Sequence, residues 1–119
     1  MTQWYILNKD HTTTAVNIHD YSIWNVNNDL RRVAKDEVGE SNISTVFLGL
    51  DHSYEEGADP VLFETLVFDG AYDGEMVRYC TWEEAVDGHL KMVKKCGGVI
   101  KQKPEKDDSI KSRFDILDL

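Results

Sequence analysis

Cysteine is nearly absent: the chain has two, Cys80 and Cys96, in 119 residues. They can form one bridge at most, and neither has a CxxC partner or zinc-ligand spacing. Disulfide scaffolds, dithiol redox sites and zinc modules are therefore set aside. Both are expected to be small buried hydrophobes in a reducing compartment. Long apolar runs are missing too. The longest, residues 44–50 and 61–68, fall far short of the roughly 20 residues that cross a bilayer. Met1-Thr2-Gln3-Trp4 has neither the basic nor the apolar region of a secretory leader. A cytoplasmic protein with no membrane association is the expectation. There is no Walker loop, GxGxxG, GxSxG elbow, HExxH helix or internal repeat, so no cofactor, metal or catalytic residue is assigned.

What remains is enough chain for one core. At 119 residues, 41% apolar and 29% charged, the composition is that of a single globular domain. Residues 1–98 are expected to form it and residues 99–119 to be a charged tail. The net charge of −9 is unevenly spread. From residue 51 to residue 87, eleven carboxylates face one base, Arg78, a net of −10; from residue 91 to residue 113, eight bases face three acids, a net of +5. The acidic stretch repels phosphate and attracts basic protein surfaces. That argues against direct nucleic-acid binding and for a protein partner with a basic surface, although the same charge also serves solubility.

Trp4-Tyr5-Ile6-Leu7 reads as a first strand, stopped by Asn8-Lys9-Asp10, with the Thr-rich segment beyond as its pairing partner. Residues 19–29 keep neither period and are expected to be a loop or one short helix. Residues 31–38 and 43–50 read as a hairpin joined through Gly39-Glu40-Ser41-Asn42. The second of these runs is apolar on both faces and is expected to be a central strand covered on both sides, with Gly49 marking a bulge or a close backbone approach. Pro60 opens another apolar strand, residues 61–68, and a turn with two glycines leads to a last strand, residues 75–80. The helix is the best signalled element. Thr81 and Glu84 form a capping box, while Trp82, Ala85, Val86, His89, Val93 and Cys96 share one stripe and Gly97-Gly98 supplies the stop. The expected fold is α+β: an antiparallel β-meander of about four to five strands packed against one C-terminal α-helix, residues 82–96.

His52, Glu64 and His89, with Arg78, are the residues that could line a pocket, where imidazole and carboxylate would suit a divalent metal or acid–base chemistry. A carboxylate amid Leu62, Phe63 and Leu66 needs a partner, and Arg78 across a hairpin is the natural one. The candidates for a partner surface are Asp51, Tyr54, Glu55, Glu56, Asp59, Asp69, Asp73 and Trp24, acids and aromatics in segments that read as loops. Residues 114–119 alternate acid and apolar side chains and could dock as a strand or a short motif.

Ser44-Thr45-Val46-Phe47-Leu48-Gly49-Leu50-Asp51-His52, Leu62-Phe63-Glu64-Thr65-Leu66-Val67-Phe68, and Thr81-Trp82-Glu83-Glu84-Ala85 with Gly88-His89 together resemble a group of small bacteriophage and prophage proteins without an established activity. The resemblance implies a phage context, hence the cytoplasm of an infected or lysogenic bacterial host, and carries over no catalytic residue. The leading reading is an accessory protein that works by binding, as an acidic inhibitor of a host nucleic-acid-handling or defence protein. The alternatives are a small-molecule or metal-binding protein or an enzyme, with its site near His52, Glu64 and His89, and a minor virion or assembly protein.

Overall fold

The computed structural model describes residues 3–98; the segment read as a charged tail, residues 99–119, lies outside them. In chain order the elements are β1 Trp4–Leu7, β2 Thr13–Val16, α1 Ile18–Trp24, a 3-10 turn Asn28–Arg31, β3 Arg32–Val38, β4 Ser41–Phe47, β5 Phe63–Phe68, β6 Met76–Tyr79 and α2 Trp82–Lys95. β3 to β6 form an antiparallel four-stranded meander in sequence order, and β1 and β2 form a separate two-stranded sheet. The fold class is α+β, as expected. The extra hairpin is not part of the meander: it is joined to the chain leaving β4 by Tyr5 N–H donating to the Gly49 carbonyl at 2.8 Å and Asp51 N–H donating to that of Gln3 at 3.2 Å.

Side-chain periodicity assembles the core. Ser41, Ile43, Thr45 and Phe47 on β4 and Phe63, Thr65 and Val67 on β5 alternate inward at the strand period and are buried. α2 lays Trp82, Ala85, His89, Met92 and Val93 over them at the helical period. Its start is set by both halves of the capping box, each bond 3.1 Å long, between the Thr81 hydroxyl and Glu84 N–H and between the Glu84 carboxylate and Thr81 N–H. Two apolar clusters result. One gathers Val33, Phe47, Leu62, Phe63, Trp82 and Ala85, with Tyr5, Leu7 and Trp24 against it; the other gathers Ile43, Val67, Met92 and Val93.

Three local expectations are corrected. The β3–β4 turn is only Gly39-Glu40, since Val38 pairs directly with Ser41. Residues 18–31 hold both a short helix, capped by Asn17, and a 3-10 turn. The strand expected to be covered on both faces has its helix on one. Among the described residues the other face of the sheet carries no layer, and Phe68 and Met76 are 46% and 48% exposed there.

Gly49 is a close approach, as its place after β4 suggested. Its φ is +81°, and an added Cβ would lie 2.5 Å from the ring of buried Tyr21, which fixes α1 over β1. Gly49→Ala is expected to cost about 1–3 kcal/mol through the backbone conformation alone, with a further loss from displacing Tyr21. Urea unfolding monitored by tryptophan fluorescence measures it; a change under about 0.5 kcal/mol, the range of neutral surface substitutions, would contradict the packing described.

Candidate functional site

Between the two apolar clusters lies a layer of polar side chains. Thr45 and Thr65 are register partners at the inward positions of β4 and β5, and both are fully buried. Their hydroxyls are 2.5 Å apart; Thr45 Oγ1 is 2.7 Å from His89 Nδ1, and His89 Nε2 is 2.7 Å from Asp36 Oδ2 on β3. On the other side the Tyr79 hydroxyl donates to Thr65 Oγ1 at 3.0 Å from β6. A single row, Asp36–His89–Thr45–Thr65–Tyr79, thus takes one residue from each strand of the meander and one from α2.

Counting donors assigns a direction to the row. A carboxylate only accepts, so Nε2 carries the imidazole proton, and Nδ1 of a neutral ring accepts from Thr45. Thr45 has then used its one proton and accepts from Thr65, which in turn accepts from Tyr79. Burial pushes the Tyr79 phenol pKa upward, which keeps it in the donating form. Gly88 is part of this arrangement. A glycine inside a helix costs about 1 kcal/mol relative to alanine, but a Cβ at this position would run into the Tyr79 ring and hydroxyl. The glycine leaves room for the phenol to reach Thr65.

The connectivity carboxylate–imidazole–hydroxyl is that of a hydrolytic triad, but the chemistry does not follow. Thr45 is 0% exposed and its oxygen is already shared with Thr65, so no electrophile can approach it. Cys80 is equally unsuited to nucleophilic attack. Burial, then the carboxylates of Glu84, Asp59 and Asp51, push its pKa up and hold it as the thiol.

The residues expected to line one pocket are not brought together. Glu64 and Arg78 pair across β5 and β6 on the uncovered face, Nε to Oε2 at 3.0 Å. His89 is on the opposite face, under α2. His52 Nδ1 is 2.7 Å from the Leu50 carbonyl, within its own loop. Among the described residues, no group of three or more His, Cys, Asp or Glu side chains is placed to hold a metal ion.

The residues expected at a partner surface divide. Trp24 is taken up by the core, edge-on to Phe47 with centroids 5.6 Å apart. Asp51 shapes its loop, Oδ1 accepting from the N–H groups of Ser53 and Val61 at 2.8 and 2.9 Å. Asp73 accepts from Asp69 N–H at 2.6 Å in the β5–β6 turn, at the far end of β5 from the 51–60 loop. Tyr54, Glu55, Glu56 and Asp59 project into solvent, Tyr54 being 94% exposed. The N-terminus of α2 brings exposed Glu83 and Glu84 to that same end, because β6 returns there and Cys80 sits over the Asp59 carbonyl at 3.9 Å. At the other end Lys95 pairs with Glu75. The acidic stretch is thus not one lobe: one group of exposed carboxylates gathers at the end formed by the 51–60 loop and the start of α2, while Asp69 and Asp73 lie at the opposite end.

Sequence reasoning picked out His89 but not Asp36, Thr45, Thr65 or Tyr79. The available signal was a histidine inside an apolar helical stripe together with a threonine at the matching inward position of two apolar strands. No protein-family model, curated protein or solved structure matches the chain.

The Glu64–Arg78 pair is open to a double-mutant cycle. Its side chains retain 15% and 30% exposure, so Arg78→Ala is expected to cost about 1–2 kcal/mol, between the values for exposed and fully buried pairs. Glu64→Gln on that background should recover part of the loss. Coupling above about 0.5 kcal/mol in urea unfolding is the expected result; additive effects would mean that the pair contributes nothing to stability.

Proposed function

We propose that the protein acts by binding rather than catalysis, and that its contact surface is the acidic end built from Tyr54, Glu55, Glu56 and Asp59 with Glu83 and Glu84 of α2. The observation that carries this reading is the contrast between the two kinds of polar group. His89, Thr45 and Thr65 are buried and satisfied by one another, whereas these carboxylates stand in solvent, and none of them takes part in an ion pair among the described residues. Such a surface draws in a basic protein patch and orients it through long-range charge, with an exposed aromatic as an anchor. The partner class that fits is a protein whose own ligand is polyanionic. Together with the resemblance to phage proteins, this supports reading the chain as an accessory inhibitor of a host nucleic-acid-handling or defence protein, acting in the bacterial cytoplasm. Among the described residues, no helix is long and apolar enough to cross a membrane.

Affinity capture from bacterial lysate tests the reading. The wild-type chain, Glu55→Lys/Glu56→Lys/Asp59→Lys, and the control Asp69→Lys are compared at low and high salt. Capture that falls with salt, is lost in the triple variant and survives in the control is expected. No specific partner, or capture indifferent to both salt and the triple substitution, would overturn the proposal.

A further inference from the structure

The row has a second complete arrangement. If His89 gains a proton at Nδ1, that nitrogen becomes a donor and Thr45 has to accept from it. Thr45 can then turn its own proton to Thr65, Thr65 can turn its proton to Tyr79, and the phenol, half-buried at the edge beside Gly88, can turn its O–H toward solvent. Each step rotates a hydroxyl about its C–O bond and no backbone atom moves. Asp36, whose side chain is 34% exposed, accepts from Nε2 in both arrangements and gains an ionic partner in the second.

We propose that this row is a two-state relay, in which protonation of His89 reverses the direction of every hydroxyl and converts Tyr79 from a donor into the core to an acceptor from it. The groups around the imidazole favour such a device. β3 presents the Asp36 carboxylate, β4 and β5 present the Thr45 and Thr65 hydroxyls, and β6 presents the Tyr79 phenol. On α2 itself Asp87 and Lys91 engage each other at 3.0 Å and flank the Tyr79 end of the row, where Asp87 pushes the phenol pKa up and Lys91 pushes it down. At the ends of the helix His11 stacks on Trp82 and Lys95 pairs with Glu75. Histidine is the side chain that ordinarily changes charge near neutral pH. A protonation event under α2 is thereby delivered to the rim between β6 and α2, three side chains away, as a change in what Tyr79 offers to water or to a bound surface.

The relay makes an unusual demand on a residue that does not touch the ring. In Tyr79→Phe the neutral arrangement loses only a donor to Thr65, but the protonated one leaves the buried Thr65 hydroxyl with no acceptor. Burying an unpaired donor is costly, so His89 should bind its second proton about tenfold more weakly, its titration midpoint moving to lower pH. Thr65→Val, of closely similar shape, should shift it in the same direction, because Thr45 then has no acceptor. NMR titration of the His89 ring in the full-length wild type and both variants reads this directly. A purely structural role for Tyr79 would lower stability and leave the midpoint in place. A midpoint unchanged in either folded variant, or a wild-type imidazole that stays neutral until the protein unfolds in acid, would overturn the proposal.

Discussion

The hydrogen bond from the buried His89 imidazole to the Asp36 carboxylate is the constraint on which the rest of the architecture depends. It crosses from α2 to the edge strand β3 at 2.7 Å and leaves the ring almost wholly buried. By holding the Nε2 proton it leaves Nδ1 of the neutral ring as an acceptor, and in that arrangement the Thr45, Thr65 and Tyr79 bonds all run toward the imidazole. A polar layer this deep is tolerable only when every member is satisfied, since an unpaired buried group costs about 1–3 kcal/mol. The consequence is specificity. Sliding α2 by one turn would leave several of these groups unpaired at once, and shifting β4 against β5 by one residue would also turn the apolar core side chains of one strand outward.

Legibility from sequence followed the range of the interactions. The capping box at Thr81 and Glu84, the stop at Gly97, the strands around Val46 and Leu66 and the β5–β6 turn all rest on residues close in the chain, and these were readable. Glu64 with Arg78 was readable because a tight hairpin turns sequence distance into register. Asp36 was not: 53 residues separate it from His89, and an acid on a strand next to Glu37 looks like any solvated charge. Nor were Thr45 and Thr65 distinguishable from ordinary β-branched strand residues until their register was known. Trp24 was misplaced because a short helix with one inward face keeps no period long enough to detect.

The same topology explains why a continuous acidic stretch does not become a continuous acidic surface. β5 carries the chain away from the 51–60 loop and β6 returns it, so Asp69 and Asp73 are stranded at one end while Glu83 and Glu84 come back to the other. α2 then completes the separation. Its acidic first turn and basic last turn follow the helix dipole, adding negative charge where the loop is already negative and supplying Lys95 to Glu75 at the opposite end. Helix electrostatics and surface electrostatics thus reinforce one another, and the acidic end gathers its charge at little cost to local stability.

The most direct test of the central claim is the tautomer of the neutral His89 ring, read from ring nitrogen–proton correlations by NMR. The hydrogen-bond row predicts a single species with the proton on Nε2 and an unprotonated Nδ1. A neutral ring carrying its proton on Nδ1, or one averaging between the two tautomers, would mean that Asp36 does not hold the Nε2 proton and that the buried layer is organised in some other way.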